Sequence, residues 1–213
     1  MKKNIPFEIK EGVKLHYDKL FDRYPVLDRF KEKIMHAFNT ISCSYHNGGK
    51  LLVCGNGGSA ADADHIVGEL MKGFYKSREL CNADKKKFGM IGEKLQGALP
   101  TIALTQHTAL STAFANDEDP TILFAQQVYG YGKPGDVLIG ISTSGNSANV
   151  INAIKTAKAV GMATIGLTGE KQSQMSTLCD ICIDVPALIT AEIQELHLPV
   201  YHTLCAMLEE EFF

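Results

Sequence analysis

Five short apolar runs, most of them rich in β-branched residues, recur along the chain after residue 49. Helical stretches separate these runs, at about 59–73, 120–131, 147–160 and 188–211. The runs are Lys50–Cys54, Pro100–Leu104, Asp136–Ile141, Met162–Leu167 and Asp180–Val185. Nearly continuous apolar strands that alternate with helices are typical of a parallel sheet covered on both faces. We therefore predict an α/β fold, in which ligands bind beyond the carboxyl ends of the strands.

The first 48 residues form an N-terminal segment with a helical pattern and a break near Tyr24-Pro25. Their apolar side chains recur at spacings that place them on one helix face. This face consists of Leu15, Leu20, Phe21, Phe30, Ile34, Ala37 and Phe38. It could pack against a partner subunit, or it could cover the chain's own domain. The pattern itself does not distinguish the two.

Residues 76–98 are polar, punctuated by glycine and without clear periodicity. A segment of this length inside a compact domain is usually a lid, a binding loop or a disordered stretch. We therefore predict a long loop or insertion here, with Lys85-Lys86-Lys87 on a solvated part of it.

Composition limits what the chain can be. The 213 residues, 45% of them apolar, suffice for the core of one domain, and the net charge of −3 provides no basic footprint for nucleic acid. No apolar run approaches the roughly 20 residues of a membrane span. The N-terminus, Met1 to Glu8, lacks the apolar core of a signal peptide, so we expect a cytoplasmic protein with free thiols. Cys179 and Cys182 form a single CxxC, and we interpret them as buried small hydrophobes because no second CxxC completes a zinc site.

Two glycine- and serine-rich loops follow predicted strands and open helices. Gly55-Asn56-Gly57-Gly58-Ser59 allows a tight turn, and Ser59 could cap the helix behind it. The loop lacks both the GxGxxG spacing and the lysine of a P-loop, which argues against a nucleotide site. Ser142-Thr143-Ser144-Gly145-Asn146-Ser147 presents four hydroxyl groups at a helix start. Hydroxyl and backbone N–H groups there can bind a phosphate without arginine, so we predict a phosphate cradle.

Two helices carry polar groups suited to chemistry. His65 and Glu69 are four residues apart and share one helix face, where they could hold a divalent metal, act as an acid–base pair, or form a plain surface pair. The last helix is apolar apart from Glu192, Gln194, Glu195, His197 and His202. Such groups on a buried helix need partners, and a metal or a substrate could supply them.

Together these motifs resemble the sugar isomerase (SIS) domain family, and most closely its phosphoheptose isomerases. The resemblance rests on Gly55–His65 with Glu69, Ala115-Asn116-Asp117, the Ser142–Ser147 loop, and Gln194-Glu195-Leu196-His197 with His202. It implies a single SIS domain over residues 1–213, built as a three-layer αβα sandwich around a five-stranded parallel sheet. It also implies a homotetramer, with the N-terminal helices at a subunit interface and the active sites between subunits.

The resemblance further implies one zinc ion per subunit and a sugar phosphate as substrate. By position, the metal ligands are His65, Glu69, Gln194 and His202. The substrate contacts are Asn56, Gly57, Gly58, Ser59, Glu69, Asn116, Asp117, Ser142, Thr143, Ser144, Ser147 and Gln194. The family reaction converts sedoheptulose 7-phosphate to D-glycero-D-manno-heptose 7-phosphate through an enediol(ate). Such a reaction needs a base, an acid and stabilisation of negative charge, and we assign the base to Glu69 and the acid to His202.

Three departures from the family pattern leave alternatives open. The 76–98 segment is long, Thr105–Ala109 stands where the family commonly has an aspartate, and Pro199 interrupts the helix between Gln194 and His202. These two residues are about 12 Å apart on a straight helix, so a kink or a second subunit would be needed for both to reach one metal. The chain could therefore act on another phosphosugar, such as arabinose 5-phosphate. It could also be a non-catalytic SIS protein that binds a phosphosugar or a protein partner.

Overall fold

The computed structural model describes residues 9–213 and contains one five-stranded sheet in which all strands are parallel. The strand order is β2-β1-β3-β4-β5. The strands are β1 Leu51–Gly55, β2 Thr101–Ala103, β3 Val137–Ile141, β4 Ala163–Gly169 and β5 Ile181–Val185. Each lies within two residues of its predicted ends, because continuous burial on both faces leaves an unbroken apolar run in the sequence. The predicted α/β class is confirmed.

Helices cover both faces of the sheet. They are α1 Glu11–Arg23, α2 Lys31–His46, α3 Gly58–Met71, α4 Asn82–Phe88, α5 Thr108–Asp117, α6 Leu123–Tyr131, α7 Ala148–Val160, α8 Gln174–Leu178 and α9 Thr190–Phe212. Short 3-10 turns stand at Pro25–Phe30, Gly89–Ile91 and Pro120–Ile122. One core packs α1, α2, α3 and α9 against the side chains of Leu51 and Val53, and the other packs α6 and α7 against Leu52 and Cys54. Successive residues of β1 thus point to opposite cores. The sheet and the helix layers on its two faces form the predicted three-layer sandwich.

The N-terminal helices are part of the chain's own core. α1 ends at Arg23 and Pro25 opens a 3-10 turn, so the predicted break is correct. Six of the seven residues of the predicted apolar face are buried here: Leu20, Phe21, Phe30, Ile34, Ala37 and Phe38. Leu15 is 58% exposed. Those six side chains therefore cover their own domain, and contact of these helices with another subunit stays a prediction. Residues 1–8, which the N-terminal interpretation included, lie outside the described part.

The 76–98 segment is more structured than predicted. It contains α4, the 3-10 turn behind it and an isolated antiparallel bridge between Glu79 and Gln96. Lys85, Lys86 and Lys87 lie on α4, not on a loop. The sequence pattern missed α4 and α5 because neither helix buries a residue, so neither carries an apolar stripe. α8 was missed because it has only five residues.

Arg78 anchors the beginning of this segment. Its side chain is fully buried and donates hydrogen bonds to Glu209 Oε1 at 2.8 Å, to the Leu70 carbonyl at 2.7 Å and to the Glu69 carbonyl at 2.8 Å. Glu209 in turn accepts bonds from the N–H groups of Phe74, Tyr75 and Lys76. The end of α3 is thereby fixed to α9. Between residues 9 and 213, no helix has the length and hydropathy that a membrane span requires.

Candidate active site

The loop between β1 and α3 brings backbone N–H groups close to α9. Gly57 has a φ of +55°, which favours glycine, and α3 begins at Gly58. A Cβ at Gly58 would lie 2.6 Å from Nε2 of Gln194, so the end of the Gln194 side chain packs directly against this glycine. Ser59 does not cap the helix as predicted: the N-cap position is Gly57, no side chain caps it, and Ser59 is buried in the first turn.

Paired asparagines join the two glycine-containing loops. Asn56 donates from Nδ2 to Asn149 Oδ1 at 2.9 Å and accepts from Asn149 Nδ2 at 2.8 Å. Asn149 lies in the first turn of α7, directly behind the Ser142–Ser147 loop. The ends of β1 and β3 are neighbours in the sheet, so this bond joins two loops at one edge. The binding edge that the parallel sheet predicts is therefore formed.

The Ser142–Ser147 loop gathers three hydroxyl groups. Ser142 Oγ lies 2.9 Å from Ser147 Oγ and 3.4 Å from Ser144 Oγ. Ser147 occupies the N-cap position of α7, but its hydroxyl makes no cap hydrogen bond. Gly145 has a φ of +63°, and a Cβ there would overlap the side chains of Ser173 and Thr168. The hydroxyl groups are thus turned toward one another at the positive end of a helix, as a phosphate cradle requires.

Side chains of α3 and α9 meet further along the two helices. His65 Nε2 lies 3.1 Å from Glu69 Oε1 and 3.3 Å from His202 Nε2. The other carboxylate oxygen of Glu69, Oε2, is buried without a hydrogen-bond partner in the described chain. The predicted base and acid are therefore neighbours, joined through His65.

Two residues that we had not assigned complete this cluster. The Tyr201 hydroxyl lies 3.1 Å from His65 Nδ1 and donates to Asp62 Oδ1, also at 3.1 Å. Asp62 Oδ2 has no hydrogen-bond partner among the described residues. Asp62 lies one turn before His65 on α3, and that spacing could have identified it. Tyr201 gave no signal, because a tyrosine in an apolar helix is expected in a core.

Burial and neighbouring charges shift several pKa values in this cluster. Burial raises the pKa of Asp62, although the Tyr201 hydrogen bond and His65 oppose the shift. Burial, followed by the charge of His65, lowers the pKa of His202; Glu69 opposes this and Arg23 adds to it. The lowered pKa favours the neutral form of His202, in which the imidazole offers one N–H donor and one acceptor.

The four residues predicted to bind zinc do not all come together within one chain. Gln194 contacts the first residue of α3, Gly58, whereas His202 contacts His65, seven residues and about 10 Å further along that helix. α9 continues through Pro199, so no sharp break brings Gln194 closer. Between residues 9 and 213, no group of three or more His, Cys, Asp or Glu side chains is arranged to hold a metal ion. His65, Glu69 and His202 have the nitrogen and oxygen donors that zinc prefers, but they form a hydrogen-bonded row.

Asn116 and Asp117 lie apart from this cluster. They end α5, are exposed, and share a hydrogen bond of 2.8 Å between Asn116 Nδ2 and Asp117 Oδ1. No described side-chain contact joins them to α3, α9 or the Ser142–Ser147 loop. Thr105, where the family commonly has an aspartate, instead donates to Asp64 Oδ1 at 2.6 Å, and Gln106 donates to the other oxygen of Asp64.

The other polar residues of α9 and the two cysteines of the CxxC motif lie outside the cluster of His65, Glu69 and His202. His197 is fully buried, and its Nε2 lies 3.3 Å from the Thr168 carbonyl. Burial lowers the pKa of His197 to about 4, so it is neutral. Glu192 and Glu195 are both exposed on the same helix. Burial raises the pKa of Cys179 to about 12 and that of Cys182 to about 11, as expected for packed thiols.

Comparison with known proteins supports this fold. The sequence profile of the SIS domain matches residues 23–84 and 87–169. A phosphoheptose isomerase of Rhodospirillum rubrum is 42% identical over 177 residues, which are 83% of this chain and 85% of that protein. A phosphoheptose isomerase of Roseiflexus sp. is 38% identical over 206 residues, 97% of this chain and 92% of that protein. The solved structure of phosphoheptose isomerase GmhA from Neisseria gonorrhoeae has a TM-score of 0.74 and 35% identity, covering 94% of this chain and 98% of its own.

These findings define a class and then a group within it. The chain belongs to the SIS domain family. Its relatives make it a phosphosugar isomerase of the phosphoheptose isomerase group.

Proposed function

We propose that this chain converts sedoheptulose 7-phosphate to D-glycero-D-manno-heptose 7-phosphate. The observation that carries the proposal is the contact of Glu69 and His202 with the same His65 nitrogen. The hydroxyl-rich loop is joined to the start of α3, the helix of His65 and Glu69, by the Asn56–Asn149 pair. The names of the relatives supply the substrate.

The substrate phosphate would bind at the Ser142–Ser147 loop. Ser142, Ser144 and Ser147 offer hydroxyl donors, and the N-terminus of α7 offers a positive dipole end. Asn56 joins this loop to the start of α3, which then leads to His65 about 10 Å away. A sugar phosphate extended along α3 would place its reacting carbons at the cluster of Glu69 and His202.

The reaction moves one proton between C1 and C2. Glu69 would remove the proton from C1 of the ketose and return it to C2 of the enediol(ate). Its Oε2 accepts no hydrogen bond in the described chain and has only Lys72 Nζ nearby, at 3.7 Å, so it is the oxygen available for this work. His202 would act as the acid: it would donate its N–H proton to O2, where negative charge develops, and take up the proton that O1 loses when the aldehyde forms. Tyr201 would hold His65 in one orientation through its bonds to Nδ1 and Asp62.

Zinc is part of this proposal. His65, Glu69 and His202 would hold it, because they carry the nitrogen and oxygen donors that zinc prefers, but their side chains would first have to leave the hydrogen-bonded row that they form in this structure. Gln194, the fourth ligand that the resemblance implies, would have to come from elsewhere, because in its own chain it lies against Gly58. When bound, zinc would polarise the substrate carbonyl and stabilise the enediolate.

We further propose a cytoplasmic homotetramer. Exposed apolar side chains beside the site support a subunit contact there: Leu188 is 72% exposed and Ile189 is 60% exposed, directly before α9. Large exposed apolar residues next to one another often mark an interface. Light scattering coupled to size-exclusion chromatography measures the oligomeric state.

A product assay tests the proposed function. The purified enzyme is incubated in ²H₂O with sedoheptulose 7-phosphate, and in parallel with other ketose phosphates and with arabinose 5-phosphate. We expect D-glycero-D-manno-heptose 7-phosphate with deuterium at C2, because an enediol route allows exchange of the transferred proton with solvent.

Parallel assays with a chelator test the role of the metal separately from the substrate and the reaction. Activity that disappears with chelator and returns with Zn²⁺ supports the metal. Faster conversion of a different phosphosugar would contradict the substrate assignment, and no conversion of any sugar phosphate would contradict the reaction.

A further inference from the structure

A pocket that borders the predicted site lies between α1 and α9. It has a volume of about 140 Å³ and is open to solvent. Polar lining residues are His16, Lys19, Arg23, Tyr75, His202 and Thr203. His202 lines this pocket and also contacts His65, so the pocket and the candidate active site share this residue.

The pocket is basic. His16, Lys19 and Arg23 follow one another at intervals of three and four residues, so they share one face of α1. None of the lining residues is an acid. Within residues 9–213, neither Lys19 nor Arg23 has a carboxylate within 4.0 Å, whereas His16 faces Glu210 at 3.8 Å from the far side. Two cations thus face a concave surface without a counter-charge in the described chain.

A structural explanation covers only part of this arrangement. Arg23 lies in the last turn of α1, where the helix dipole favours a cation. That effect is confined to the last turn, so it does not explain Lys19, nor the absence of acids from the lining of the pocket. Several other exposed lysines of the chain do have carboxylate partners, such as Lys31 with Asp28 and Lys158 with Asp180.

We propose that this pocket binds a phosphoryl group, held by Lys19 and Arg23 with Thr203 and His202 as further hydrogen-bonding groups. A guanidinium can donate two parallel hydrogen bonds to phosphate oxygens, and an ammonium adds a point charge. The phosphoryl group is either free inorganic phosphate or the phosphoryl group of a sugar phosphate. The site is distinct from the Ser142–Ser147 loop, because its residues come from α1 and α9.

Calorimetric titration with inorganic phosphate, and separately with fructose 6-phosphate, tests the proposal without relying on turnover. Both titrations use the Ser144→Ala background, which weakens the loop. We expect the double variant Lys19→Gln/Arg23→Gln to lose about tenfold or more in affinity for at least one probe, since two charge-assisted contacts disappear. A loss of affinity for inorganic phosphate would show that the pocket binds the free anion. Loss for fructose 6-phosphate alone assigns it to a phosphosugar.

Matched variants control for net charge and folding. Lys155→Gln/Lys171→Gln removes the same two charges from exposed positions outside the pocket, and it should leave both affinities unchanged. The swap Lys19→Arg/Arg23→Lys preserves the charge and should keep most of the binding. The proposal is overturned if Lys19→Gln/Arg23→Gln binds both probes as the background does. An equal loss in the Lys155 and Lys171 variant also overturns it, because binding would then follow overall charge.

Discussion

The Nε2 atom of His65 lies 3.3 Å from the Nε2 atom of His202. The two residues are 137 positions apart in sequence. Their nitrogens are the point at which the functional groups of α3 and α9 meet. Two imidazole nitrogens at this distance share either one proton or one cation between them. The residues that fix the two rings are therefore as important for activity as the rings themselves.

Glu69→Gln should abolish most turnover. The amide keeps the size and the contact with His65 but cannot accept a proton, so we expect kcat to fall by about 10²–10⁴-fold. Phosphosugar binding and thermal stability should change little, because the side chain makes no other contact that the fold depends on. Conversion of sedoheptulose 7-phosphate by the variant at nearly the normal rate would show that another group is the base.

Tyr201→Phe should lower kcat while preserving the fold. Tyr201 is 1% exposed, and phenylalanine fills the same volume but loses the bonds to Asp62 and to His65 Nδ1. Loss of an orienting partner of this kind typically costs about 10–100-fold in activity or metal affinity. A KM close to that of the wild type, measured beside the reduced kcat, would identify Tyr201 as a positioning residue. An unchanged kcat would refute that role.

The fold could be predicted from the sequence because burial leaves a direct trace in it. β1 and β3 are buried at every position and therefore read as unbroken apolar runs. α5 leaves no such trace, since its residues are exposed and mostly small or polar. Arg78 shows the same limit: a charged residue in a polar segment suggests a surface, whereas its partner Glu209 is 131 residues away.

The site was predictable where the residues lie close in sequence. His65 and Glu69 are one turn apart, and helical geometry alone places them together. The placement of Gln194 against Gly58 was not predictable, because it depends on how α9 lies along α3. The rise of a straight helix did indicate that Gln194 and His202 need either a kink at Pro199 or a second subunit to reach one metal.

Ser144→Ala should weaken substrate binding with little effect on kcat. The hydroxyl lies 3.4 Å from Ser142 Oγ and can turn to a phosphate oxygen, and a hydrogen bond to a charged group contributes about 1.5–3 kcal/mol. KM for the ketose phosphate should rise by about 10–100-fold. Thr177→Ala, at an exposed hydroxyl that bonds only to the Gln174 carbonyl, serves as the control. A KM that stays the same in Ser144→Ala would argue against the phosphate cradle.

Arg78→Met should destabilise the fold strongly. The substitution leaves Glu209 as an uncompensated buried charge and removes the donors to the Glu69 and Leu70 carbonyls. Breaking a buried ion pair in this way costs about 3–5 kcal/mol. Urea unfolding measures the loss. Lys85→Met, which removes a lysine paired with the exposed Glu79, should leave the midpoint nearly unchanged. A similar midpoint for both variants would contradict the anchoring role of Arg78.

Acid should remove part of the contribution of Glu209 to stability. Burial alone would raise the pKa of this carboxyl, but the N–H groups of Phe74 and Tyr75 and the Arg78 guanidinium outweigh burial and lower the pKa. A carboxyl with a lowered folded pKa stabilises the protein above its unfolded pKa of about 4.3, and that contribution is lost as the pH falls toward the folded value. Urea unfolding at pH 6, 4 and 3 should therefore show a steeper loss of stability in the wild type than in Glu209→Gln. Parallel losses in the two proteins would mean that other carboxyl groups control acid unfolding.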